Sequence, residues 1–108
     1  MATAYKVLGQ VAPSATTDTT LYTVPSSTSV VASTLAVCNR GPSTSFRVAV
    51  RPAGATLSNE HYIAYDVQLN QYDSVFLTLG ITLATTDVVT VYAGSANLSF
   101  SLFGSEIS

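Results

Sequence analysis

The sequence predicts an all-β fold: a single antiparallel β-sandwich of about eight strands, connected as a Greek key or jelly roll. Three observations carry this. Thirteen Val and fifteen Thr supply β-branched side chains that fit a pleated, half-buried surface. Short apolar runs alternate with small polar residues at period two and are separated by turn residues every 10 to 14 positions. Helical patterning is missing, and Glu and Lys together number three. A closed barrel is the alternative arrangement for such strands.

The elements follow in order. A first strand covers Tyr5 to Val11 and stops at Ala12-Pro13-Ser14. The Ser-, Thr- and Ala-rich stretch from Pro13 to Thr20 reads as a loop, so residues 1–20 are in part a candidate N-terminal arm. A second strand, Thr20 to Val24, ends at Pro25, and a long third strand runs from Val30 to Asn39 before Arg40-Gly41-Pro42-Ser43. In the fourth, Phe46 to Arg51, Phe46, Val48 and Val50 share one face and Arg47, Ala49 and Arg51 the other. Pro52-Ala53-Gly54 closes it. His61 to Asp66 is the fifth strand, followed by a turn at Asn70-Gln71-Tyr72-Asp73. The sixth, Val75 to Leu83, has a bend point at Gly80; the seventh is Val88 to Ala93, and the eighth Leu98 to Phe103. One domain spans residues 1–108.

Charge is scarce. One Lys, three Arg and six acids are the only ten charged residues, for a formal net charge of −2, whereas Ser and Thr supply 29. The mean hydropathy of +0.38 separates this scarcity from disorder. Four basic residues are too few for a counterion-displacing patch, which argues against nucleic acid as a partner. One Cys excludes an intrachain disulfide or a multi-Cys zinc site, and one His excludes a paired-imidazole metal site. Met1 to Lys6 shows no basic region followed by an apolar core, and the long uncharged windows alternate as strands do. A chain made in the cytosol, without a membrane span, is therefore expected.

Chemistry finds little foothold. Serines abound, but His61 is the only imidazole and no Gly-x-Ser-x-Gly elbow occurs. Cys38 follows three apolar residues and reads as a small buried hydrophobe. Asp66, Asp73 and Asp87 fall at strand ends or turns, where Asp bonds nearby amides. No catalytic, cofactor-binding or metal-binding residue is assigned, and no enzyme is expected. Arg47 and Arg51 project from one strand face about 13 Å apart. Their partners are either cross-strand acids such as Glu60 or Asp66, or a neighbouring protein that they anchor. The interface candidates are Tyr5, Lys6, Arg47, Arg51, Glu60 and His61. Ten charges give thin cover for a free monomer, and edge strands without Lys invite pairing. Both features point to an oligomer or a larger assembly.

Several stretches carry a resemblance. Tyr5-Lys6-Val7-Leu8-Gly9-Gln10, Leu21-Tyr22-Thr23-Val24-Pro25, Phe46-Arg47-Val48-Ala49-Val50-Arg51-Pro52, and Asp87-Val88-Val89-Thr90-Val91-Tyr92-Ala93 through Phe103-Gly104-Ser105-Glu106 are similar to short virion structural proteins of tailed bacteriophages, aquatic and cyanobacterial ones included. The resemblance implies a small β-sandwich built into a phage particle. It further implies a capsid cement or decoration protein, bound outside the major capsid protein shell as a homo-oligomer, a trimer first. A neck, tail, baseplate or fibre component with a receptor- or sugar-binding role is the alternative. No catalytic residue is carried over.

Overall fold

Period-two alternation builds eight strands in the computed structural model, which describes residues 2–108. They are β1 (Thr3–Val11), β2 (Thr19–Thr23), β3 (Ser29–Asn39), β4 (Thr44–Arg51), β5 (Tyr62–Leu69), β6 (Ser74–Leu83), β7 (Val88–Ala93) and β8 (Leu98–Ile107). Pro52–Gly54 and Asn59–His61 each form one 3-10 turn. No helix among the described residues is long and apolar enough to cross a membrane.

The strands form two antiparallel four-stranded sheets, β1-β8-β3-β6 (sheet A) and β2-β7-β4-β5 (sheet B). The order is that of one long hairpin rolled on itself. β4 pairs with β5 innermost, then β3 with β6, β2 with β7 and β1 with β8. Successive pairs fall in opposite sheets, and the β3·β8 and β4·β7 ladders complete them. This is the jelly-roll form of the sandwich. Each sheet keeps two open edges, so the barrel alternative is not realised.

Two strands run further at their C-terminal ends than the sequence suggests. β5 continues past Asp66 because that residue takes a left-handed conformation, φ 50°, and forms a bulge opposite Arg47 instead of an end. β8 continues past Gly104, which is not a turn residue: a Cβ there would run into the Val31 carbonyl of β3. Gly80 does bend β6, at φ 60°, where the β3·β6 register shifts. Of the first 20 residues, 3–11 lie in sheet A, and the following loop is tied down by a buried Pro13 and by a Thr16 N–H bond to the Ala93 carbonyl at 2.8 Å.

The core fills the space between the sheets. Phe46 of β4 meets Phe100 of β8 edge to face, with ring centroids 6.1 Å apart and planes at 75°. Leu35, Val37, Leu98 and Leu102 of sheet A pack with Val48, Val89 and Val91 of sheet B around this pair. The two sides of the sandwich differ. The β1–β2 side buries Leu8, Leu21 and Tyr22, whereas at the β5 and β6 edges the inward-facing Ala64, Val67, Val75, Leu77, Leu79 and Ile81 are only partly buried.

One polar side chain closes an end of the roll. Asn39, 2% exposed, donates from Nδ2 to the carbonyls of Pro42 (2.9 Å), Asn70 (3.1 Å) and Leu69 (3.3 Å), and its Oδ1 accepts the Gly41 N–H (3.0 Å). It thereby joins the β3–β4 turn to the β5–β6 turn. Asn39→Ala removes all four bonds and leaves the Gly41 amide and the Leu69 carbonyl without this partner. We expect a loss of about 2–3 kcal/mol in stability, measured by urea denaturation. A loss no larger than that of an exposed Asn→Ala change would show the contact to be dispensable.

Candidate functional site

Sheet B carries a charged aromatic cluster on its outer face. The β5 bulge sets Tyr65 and Asp66 opposite Arg47, and the β4·β7 register sets Tyr92 beside it. Arg47 Nε donates to Asp66 Oδ1 at 2.7 Å, and the guanidinium carbon lies 4.3 Å from the ring centroids of both Tyr65 and Tyr92. Tyr62 packs edge-on to Tyr65 at 4.9 Å. The hydrogen bond from Arg47 to Asp66 strengthens the hold of the guanidinium on its proton, outweighing desolvation. Four residues along the strand, Arg51 donates from Nε to Thr90 Oγ1 and from Nη1 to the Ala55 carbonyl, each at 3.1 Å.

The other sheet B candidates serve their own turn. The Ser58 hydroxyl donates to Glu60 at 2.7 Å, and this bond lowers the Glu60 carboxyl below its ordinary value. The Ser58 N–H donates to His61 Nδ1 at 3.2 Å. Of the two acids that the sequence offers as partners for the arginines, Asp66 takes the role for Arg47 and Glu60 bonds Ser58. Asp73 accepts the Ser74 N–H, and Asp87 accepts the Ala53 and Ala84 N–H groups, so both act as turn residues.

Tyr5 and Lys6 lie on the other sheet, at the β1 edge. Lys6 Nζ donates to Glu106 Oε1 at 3.1 Å, and the Tyr22 hydroxyl of β2 donates to Glu106 Oε2. This triad links the two sheets across the β1–β2 side. The bond from Tyr22, with that from Lys6, holds the Glu106 carboxyl below its ordinary 4.5. Burial, followed by the bond to Glu106, pushes the Tyr22 phenol above its ordinary 10.0. Tyr5 makes no such contact and is 85% exposed.

The outer face of sheet A is the most distinctive surface. Strands β1, β3, β6 and β8 project no Asp, Glu, Lys or Arg from it. Two charges border it: Lys6, which lines its groove, and Arg40, in the turn after β3, which bonds Ser99 at one end of the face. Between the hydroxyls lie Phe76, 69% exposed, and an apolar groove of about 500 Å³ lined by Tyr5, Val7, Val31 and Phe103 with the Lys6 stem. Cys38 also sits here and is exposed, which corrects the expectation of a buried thiol. It occupies the outward register of β3, between inward Val37 and Asn39.

No group of three or more His, Cys, Asp or Glu residues that could hold a metal ion lies among the described residues. Sequence reasoning paired Arg47 with Arg51, but it missed Tyr65, Tyr92, Tyr22 and Glu106 as partners. The only signal for Tyr92 is its period-two position on β7. Comparison with protein-family models, with curated proteins and with solved structures finds no match to this chain.

A carboxylate held below its unfolded value stabilises the fold at higher pH, and this contribution is lost as pH falls through the folded value. Acidification from pH 6 to pH 3 is therefore expected to lower Tm more in the native chain than in Glu106→Gln. Parallel acid limbs in the two proteins, followed by circular dichroism, would show that the triad contributes nothing.

Proposed function

We propose that this protein is a structural subunit of a tailed-bacteriophage particle, a cement or decoration protein that binds outside the major capsid shell and bridges its capsomers. The observation that carries an assembly role is the charge-free outer face of sheet A. Depletion of charge is the compositional mark of an interface core, whereas soluble surfaces ordinarily carry a quarter or more charged residues. The sequence resemblance supplies the phage setting. Jelly rolls also serve in viral capsid and lectin domains, which is an association of fold and not of site.

The role proposed is mechanical. The β6 edge, Ser74–Leu83, contains no Lys and no Pro, so its outer backbone groups are open to an added strand from a shell protein. Each contact of this kind is modest, but linked subunits gripping several capsomers gain by multivalency. Bridging then raises the free energy needed to separate capsomers under heat or internal DNA pressure. The reading includes no catalytic step and no cofactor. The reading takes over the homo-oligomer, a trimer first, that the resemblance implies.

Quantitative gel analysis of purified particles tests this reading. A cement subunit is expected at a copy number that scales with the capsomers it bridges, and particles lacking it should release DNA at a lower temperature. A copy number as small as that of a neck, tail or fibre component would overturn the cement assignment.

A further inference from the structure

The outer face of sheet A has the size, chemistry and relief of an interface with itself. Its longest strand, β3, has 11 residues, so four strands make a face of roughly 37 Å by 19 Å, about 700 Å². Stable interfaces bury roughly 600–1,000 Å² on each partner, a range that includes this face. The strands project no charge from this face, so the ion that two copies brought together here would cover at the groove is Lys6, which lines it and is paired with Glu106. A charged partner would have to bury its own ions opposite Ser, Thr, Val and Phe, which offer no counter-charge.

The relief is complementary within one surface. Phe76 stands out from β6, one lateral edge of the sheet, and is 69% exposed. The apolar groove of about 500 Å³ between Tyr5, Val7, Val31 and Phe103 lies toward β1, the opposite edge. A knob at one edge and a groove at the other let the β6 side of one copy meet the β1 side of the next, with the faces turned toward a common two-fold or three-fold axis. Lys6, at the rim of the groove, is already neutralised by Glu106.

We infer that a second copy of this chain covers the outer face of sheet A, with Phe76 of each copy seated in the Val31–Phe103 groove of its neighbour. This inference rests on the assembly-subunit reading for its setting and adds the surface and the contact. It leaves the charged aromatic cluster of sheet B facing outward, free of the homotypic contact.

Sedimentation velocity on the full chain tests it. The native chain is expected to sediment as a closed oligomer at micromolar concentration. Phe76→Lys and Val31→Glu, made separately, should each give monomers, with unchanged circular dichroism because both side chains already face solvent in the single chain. Combining the two changes should restore the oligomer, because Lys and Glu then meet across the contact. Thr20→Lys, on sheet B, should leave it intact. A monomeric native chain, an oligomer that survives Phe76→Lys, or a double variant that stays monomeric would overturn the inference. The outcome separates from the particle assay: a monomer present at capsomer-scaled copy number overturns this interface and leaves the cement reading standing. A stable oligomer present at tail-like copy number does the reverse.

Discussion

Everything in this fold depends on each sheet serving as the apolar cover of the other. A strand has two faces, and with period-two alternation only one can be buried; a slip of one residue would turn the whole apolar set outward. The nested pairing of β4·β5, β3·β6, β2·β7 and β1·β8 meets this demand, because successive pairs alternate between sheets and bring Phe46 against Phe100. The register shifts within the ladders let strands bend around that centre without losing the inward set. Asn39 then joins two turns at one end through a fully bonded amide, so its burial leaves no donor unpaired.

The few charges are placed where the sandwich would otherwise be weakest. Glu106 joins Lys6 and Tyr22 across the β1–β2 side, and Asp87 holds two turn amides. Arg47, Asp66 and two tyrosine rings brace the β5 bulge. With the charges used in this way, sheet A presents hydroxyls, Phe76 and an apolar groove to its surroundings. The resulting asymmetry between the sheets gives the molecule a direction: one face suited to burial against protein, and one already occupied by internal contacts.

Much of this was legible along the chain, for a physical reason. Alternation and turn chemistry are local, so the eight strands and the shared face of Arg47 and Arg51 can be read from spacing alone. Other features depend on which backbone lies opposite. Asp66 reads as a strand end yet forms a bulge, the eighth strand reads as ending at Phe103 yet continues through Gly104, which makes room for the Val31 carbonyl, and Cys38 follows an apolar run yet faces outward. The partnership of Tyr22 with Glu106 spans 84 positions and leaves no local trace.

The sequence by itself determined that this protein is an all-β structure of about eight strands with ten charges, one imidazole and one thiol, because composition and period-two patterning are properties of the chain. Only the tertiary structure decided where the charges went. Pairing order brings Arg47 to Asp66 and Glu106 to Lys6 and Tyr22, and by the same geometry leaves sheet A with a charge-free outer face. A count of charges is one-dimensional, but the absence of charge from one face is a property of the rolled chain.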